Sequence, residues 1–317
     1  MNEEKIRILE MVKEGLLNAD EALLLLEQIE KKDKLIKETD QKTETSELST
    51  VVTSDEGTYK ESPSKKSSST MDKLMGIVDD VVKKIKDVDL DFNFGSAVDI
   101  EHIYHQDQVS IRKIDIDLVN GSVQLVPWDK SGITIECKAK VFRATDANEA
   151  RTKLLKEVTY SLEAGKLRFA LQDKSIKLHA IIRVPNTQFE EMKIRLFNGA
   201  ITGEDVKVDT IKTKTGNGQI QFTNFNASKA EFETVNGAIT LDKFEVGELE
   251  AETMNGALEI HGGFRKGDLQ TINGSITCEQ TGRYGETIRS KASAGSINLI
   301  VPSNTGCDGE LKSNLGS

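Results

Sequence analysis

The chain is poor in cysteine and proline, has no long hydrophobic run and carries no excess of basic charge. Its three cysteines, Cys137, Cys278 and Cys307, are odd in number and far apart, and no C-x-x-C occurs. A disulfide framework and a zinc site are therefore poorly supported, and the thiols read as buried or idle. With four prolines and 24 glycines in 317 residues, the chain is neither collagen-like nor disordered throughout. No apolar stretch approaches the roughly 18 residues of a transmembrane helix. The opening "MNEEKIRILE" is acidic and lacks a small-residue cleavage site, so a secretory signal is not expected and the sequence alone points to the cytoplasm. A net charge of -10 with 30% charged residues suits a soluble protein and argues against a nucleic-acid partner, which leaves a basic patch or stripe.

Signatures of chemistry are scarce too. His102 and His105 sit in "EHIYHQD" beside Glu101 and Asp107, but H-E-x-x-H is absent, and a strand or loop would not set helical ligand spacing. The segment reads as solvated and polar. Neither a G-x-x-x-x-G-K-[ST] phosphate loop nor a G-x-S-x-G elbow is present. "GNGQIQ" lacks the third glycine of a dinucleotide fingerprint. Asp205, Asp209, Asp242 and Glu259 occupy unrelated positions, unlike the gathered carboxylates of a polysaccharide lyase. No catalytic, cofactor-binding or metal-binding residue is nominated, and the chain reads as a non-enzyme.

Four regions differ in pattern. Residues 1–38 read as a helical hairpin: Ile6, Leu9, Val12 and Leu16 share one helical face, Gly15 marks the turn, and Asn18 with Glu21 forms a capping-box-like start. So small a hairpin has little core of its own and is expected to dock elsewhere or self-associate. Residues 39–70 are dominated by Ser, Thr, Glu and Lys, which reads as a disordered linker. Residues 71–89 suggest an amphipathic helix whose Leu74, Ile77, Val78, Val81 and Ile85 form a candidate partner or membrane face. Lys83, Lys84 and Lys86 lie near its end, where cations suit the helix dipole. It either caps the domain that follows or lies on an anionic membrane surface; Asp72, Asp79, Asp80 and Asp87 favour the cap.

From residue 90 to 317 the pattern alternates with period two, as in half-buried strands. "IRKIDIDLVNGSVQLVPW", "SGITIECKAKVF", "VTYSLEAGKLRFALQ" and "IKLHAIIRVP" read as strands, with a helical insert over roughly Ala147 to Glu157. From Leu196 a motif recurs, its corners being Asn198-Gly199, Asn217-Gly218, Asn236-Gly237, Asn255-Gly256 and Asn273-Gly274, followed by Gly295. The steps between glycines are 19, 19, 19, 18 and 21, and Thr215, Thr234, Thr253 and Thr271 precede four of them by three residues. Asn-Gly between alternating apolar residues is a hairpin signal, because both residues tolerate positive φ. A fixed period near 20 instead points to stacked units that bury a shared core. The expected fold is mainly β: a parallel β-solenoid with rungs of about 19 residues, its asparagines forming a ladder, preceded by the hairpin and linker. A calcium-binding roll would need a recurring turn Asp, which is missing. The final "GELKSNLGS" looks like half a rung; either the chain is a piece of a longer one or its last edge pairs with something.

"EEKIRILEMVKEGLLNADEALLLLEQIE", then "DVDLDFNFG", "IDIDLVNGSVQLVPW" and the repeated T-x-N-G-[AS]-[IL] together resemble the YvlB/LiaX family of Firmicutes. That family combines an N-terminal helical hairpin with a β-strand repeat domain also described as adhesin-like. The resemblance implies a part in the cell-envelope stress response, with the N-terminus sensing membrane-active peptide antibiotics and the β domain restraining the response. It further implies partners among envelope-stress signalling proteins and such peptides, and association with the envelope or cell surface. A surface adhesin or scaffold that binds proteins or glycans is the alternative.

Overall fold

A computed structural model describes residues 96–282 and 285–303. The hairpin over 1–38, the linker over 39–70 and the amphipathic segment over 71–89, with Leu74, Ile77, Val78, Val81 and Ile85, lie outside the described residues, as do Cys307 and the final half-rung.

The repeat folds as stacked rungs. Each rung has a first arm that ends at the asparagine and a second arm that starts after the glycine. The regular rungs are built from β7 (Phe189–Asn198) and β8 (Ile201–Glu204), then β9 (Lys207–Asn217) and the start of β10 (Ile220–Asn236). They continue through β11 (Ile239–Asn255), β12 (Leu258–Asn273), β13 (Ile276–Gln280), β14 (Thr287–Ala294) and β15 (Ile297–Ile300). Every pairing along this series is parallel and nearly in register: Thr234 meets Thr253 and Asn236 meets Asn255, and Thr253 meets Thr271. Equal arm lengths place the same residue of every unit at the same height, so a sequence period becomes a column in space.

The arms form two walls around a dry interior. Ile211, Ile220, Phe222, Phe232, Ile239, Leu241, Ala251, Leu258, Ile260 and Leu269 are all fully buried. Phe222 on a second arm lies 5.2 Å from Phe232 on a first arm, ring centre to ring centre, so the walls touch through aromatic contact. Phe225, Phe244 and Phe264 stack on successive rungs at 5.1 and 6.4 Å. Glycines make room for them: a Cβ on Gly262 would sit 2.5 Å from the Phe244 ring. A second corner recurs at Asp205, Asn224 and Lys243, with φ of 55, 52 and 53°, and the Asn224 side chain donates to Asp205.

The stack does not begin at Leu196, and its first rungs do not follow chain order. β2 (Lys113–Trp128) is a complete rung, with its own Asn120-Gly121 corner. Its first arm pairs with β7 on one side and with β5 (Lys166–Leu171) on the other. Its second arm lies between β6 (Ile176–Pro185) and β8. A later segment is thus inserted ahead of an earlier one. Beyond it the end is closed by antiparallel pairing: β3 (Ile133–Phe142) on β6, β1 (Ala97–Gln106) on β3 and β4 (Val158–Glu163) on β5. Antiparallel edge strands end the parallel repeat, which otherwise leaves a pairing edge.

The helical insert is α1 (Ala147–Glu157), as its pattern predicts. Asp146 caps it, its carboxylate accepting from the Asn148 and Glu149 amides at 2.8 and 2.9 Å. Thr145 donates in turn to Glu149 from its amide and its hydroxyl. Ala150 and Leu154 are buried on its inner side.

Candidate interaction surface

The asparagine side chains form the ladder that the repeat predicts. Asn198 donates through Nδ2 to Asn120 Oδ1 at 2.9 Å, Asn217 to Asn198 at 2.8 Å, and Asn236 to Asn217 at 2.7 Å. Asn255 donates to Asn236 and Asn273 to Asn255, both at 2.8 Å. Asn120, 78 residues before Asn198 in sequence, closes one end by donating to the Lys174 carbonyl. The similar "VNGSV" of residues 119–123 was its signal; distance along the chain hid it from a search for a fixed period.

The glycines answer to more than the hairpin argument supplies. Gly121, Gly199, Gly218, Gly274 and Gly295 have positive φ, but no ladder asparagine does, and Gly237 and Gly256 lie outside the left-handed region. What every corner shares is contact: a Cβ on Gly237 would stand 2.1 Å from the Gly218 carbonyl oxygen, and one on Gly199 would stand 1.5 Å from that of Gly121. Each corner rests directly on the backbone of the one before it. The threonines, whose role the sequence left open, bind those same carbonyls: Thr215 Oγ1 donates to Gly199 O at 3.0 Å, Thr234 to Gly218 O at 2.9 Å and Thr253 to Gly237 O at 3.0 Å. Corner, ladder and threonine row therefore build a stiff frame and hold no reactive group.

Chemical variety lies on the outer face of the first-arm wall, where parallel register stacks residues into charge bands. β2 carries Asp115 and Asp117. β7 and β9 carry Lys193, Arg195, Lys212 and Lys214. β10 and β11 carry Glu231, Glu233, Glu250 and Glu252, followed by Asp268 and Gln270 on β12. Asp115 meets Lys166 at 2.9 Å, Arg168 at 2.6 Å and Arg195 at 3.1 Å. Burial disfavours its charge, but the Lys166 hydrogen bond and the Arg168 and Arg195 charges outweigh burial and hold its carboxyl below the usual range. Lys212 binds Glu231 at 2.6 Å, and Lys214 binds Glu231 at 3.1 Å and Glu233 at 2.7 Å. Burial, reinforced by a hydrogen bond to Glu231, pushes the Glu233 carboxyl up. Glu231 goes down: burial opposes its charge, but bonds to Glu233, Lys212 and Lys214 win.

Beside the acidic band, next to the asparagine ladder, runs an apolar stripe of half-buried Phe197, Val235, Met254 and Ile272. Its residues alternate with the inward threonines, so they project from the same outer face as the glutamates.

Two family models match the sequence: a Toastrack DUF4097 domain over residues 111–317 and a SHOCT-like domain over residues 3–34. The chain belongs to the Toastrack DUF4097 family. It is 42% identical to the YvlB protein of Bacillus subtilis (strain 168), over all of this chain and 86% of that protein, which establishes the YvlB side of the resemblance. Among solved structures, a candidate adhesin from Bacteroides fragilis is 13% identical, over 64% of this chain and 97% of its own, at a TM-score of 0.39. A candidate cell adhesion protein from Clostridium sporogenes is 12% identical, over 65% of this chain and all of its own, at a TM-score of 0.37. None of these family or protein names is that of an enzyme.

The histidines and cysteines weighed in the sequence do not gather. His102 and His105 lie on β1 three residues apart, so alternation sends them to opposite faces. His105 contacts Thr134 and Asp107, and no group of residues suited to a metal ion occurs among the described residues. Cys137 and Cys278 are free and buried, and burial pushes both thiols up to about 12, so neither is a nucleophile at neutral pH. Among the described residues no helix is long and apolar enough to cross a membrane.

Proposed function

We propose that this protein is a non-enzymatic scaffold of the cell envelope that holds basic amphipathic segments, and that it thereby serves the response to membrane-active cationic peptides. The observation that supports this reading is the acidic edge of one stiff wall, formed by Glu248 and Glu250 on β11 and Asp268 on β12, on the same wall as the Val235, Met254 and Ile272 stripe. A cationic amphipathic helix offers the complement of both: an apolar face for the stripe and ammonium groups for the carboxylates. The same band repels anionic lipid, so the wall itself is a poor membrane anchor.

Binding of a fluorescent cationic lipopeptide to the full chain, in the absence of vesicles, tests the reading. Reversing Glu248 and Glu250 to Lys is expected to weaken binding at least tenfold, and added salt is expected to weaken binding to the parent. Affinity indifferent to both changes would remove the acidic band from the function. Retention on surface glycans or proteins, with the same indifference, would favour the adhesin alternative.

A further inference from the structure

The turn that joins β5 to β6 leaves the pattern of the stack. Along β2, three positions separate Leu118 from Gly121, whereas their partners Leu171 and Leu178 are seven apart. The turn therefore carries four extra residues where the regular rungs have only Asn-Gly. It reaches the Asn120-Gly121 corner, where the Lys174 carbonyl accepts from Asn120 Nδ2. A cleft of about 530 Å³ opens beside it, a size ordinary for small-ligand sites. Gly121, Gly199 and Ala200 leave it room, and half-buried Phe142 lines it.

Its polar lining is cationic or neutral. Ser122, Lys174, Lys177 and His179 line the cleft with the ladder amides, and no carboxylate does, in a chain whose net charge is -10. Strand register sharpens the imbalance. Lys177 of β6 lies directly opposite Lys140 of β3, and His179 opposite Lys138. Like charges directly opposite one another destabilise a sheet. β1 supplies Asp99 to Lys140 at 4.0 Å and Glu101 to Lys138 at 3.6 Å, and Asp173 in the turn is held by Lys153 and Ser175. Lys177 forms no ion pair among the described residues. The Ser122 hydroxyl and His179 Nδ1 lie 2.7 Å apart. Burial and the Lys177 charge push the His179 imidazole down, so it is neutral at pH 7. One of the two groups donates to the other, and the hydrogen left over, on Nε2 or on the hydroxyl, is available to a ligand.

We infer that this cleft binds a phosphate ester of a small polyol or sugar, its phosphate between Lys174, Lys177 and His179 and its organic part over Gly121 and Gly199. Two ammonium groups and one neutral donor suit the double charge and several oxygens of a phosphate better than the single charge of a carboxylate. A cation finds no anionic group there. The site lies on the second-arm wall and owes nothing to the acidic edge or the apolar stripe, so it stands or falls apart from peptide binding.

Isothermal titration calorimetry of the full chain with glycerol phosphate, at pH 7 and low salt, tests it. Saturable binding is expected, tighter than that of inorganic phosphate, with acetate silent. Lys177→Ala is expected to weaken it at least tenfold, whereas Lys229→Ala, at an exposed cation of β10, leaves it unchanged. The ester is also expected to move the NMR signals of His179 ahead of those of the other histidines. Lys177→Glu is expected to abolish binding and, without phosphate, to raise the unfolding midpoint by about 1–3 °C, because it places a carboxylate opposite Lys140. Co-sedimentation with phosphatidylglycerol vesicles separates the sources. Sedimentation that Lys177→Ala abolishes assigns the phosphate to a lipid headgroup, and binding of the soluble ester alone assigns it to a free or polymer-borne one. No saturable binding of glycerol phosphate, or equal binding by the parent and Lys177→Ala, would overturn the inference.

Discussion

The regular rungs and the end that closes them solve one problem in opposite ways. From Gly199 to Ile300 every strand pairing is parallel and near register, so one residue type repeated along the chain becomes one column in the fold. At the other end, β1, β3 and β4 pair antiparallel, α1 fills a gap, and β2 enters the stack from far upstream. A repeat grows by copying itself, and copying always leaves an edge; closing the edge requires elements that do not copy. The lesson is that periodicity carries the interior of a solenoid and is silent about its ends.

The contrast should break first at a corner. Gly237→Ala places a Cβ about 2 Å from a backbone carbonyl that cannot move without shifting the rung below. The expected cost is about 3–5 kcal/mol, or loss of folding. Thermal and urea unfolding would measure it. A loss below 1 kcal/mol would mean that the corners do not rest on one another, and the stacking account would fail.

Next in size is the seam where the two regions meet. Asp115 on β2 joins Lys166 and Arg168 of β5 to Arg195 of β7, so it clamps the out-of-order rung. Asp115→Asn is expected to cost about 1–2 kcal/mol at pH 7, since its cations are partly solvated and screened. The carboxyl is held below its usual range in the fold, so its stabilisation is fully present above the unfolded value, near 3.8, and is lost as pH falls from there through the lower folded value. Parent and variant should therefore converge towards pH 3 in denaturant unfolding. A gap that stayed constant with pH would show that the ion pairs contribute nothing.

These two sites also mark how far the sequence could be read. Gly237 belongs to a column of identical residues, and identity at a fixed step is visible in one dimension; the solenoid and the ladder were legible for that reason, and α1 as a local break in the strand alternation. Asp115 makes its contacts with residues more than fifty positions further along the chain, through strands that obey no period, so the seam was not. Asn120 lay between these cases: its motif matched, but its distance did not. The charge bands were written in the sequence yet unreadable without register, because Glu233 and Glu252 become neighbours only when rungs stack. The reason for glycine at the corner was half legible. The dipeptide suggests torsional freedom, which Gly199, Gly218 and Gly274 use, whereas the need for an absent side chain, shared by every corner, appears only when rungs stack.

The smallest effect compares two acidic pairs, one in each region. Asp115 and Asp117 have cations on both sides, whereas Glu231 and Glu233 have lysines on one side and face Glu250 and Glu252 on the other. Burial therefore wins at Glu233, whose carboxyl is pushed up to about 7. A raised acid costs the fold stability as pH rises from the unfolded value, near 4.5, through the folded one. Glu231, held down, contributes stability that is lost only in stronger acid, so it stays constant across that window. Glu233→Gln is accordingly expected to gain on the parent by about 1 kcal/mol between pH 5 and pH 8, read as a pH-dependent difference in unfolding midpoint. A variant that lost ground over the same range would mean that the lysines, and not burial, govern the band, making both acidic pairs alike.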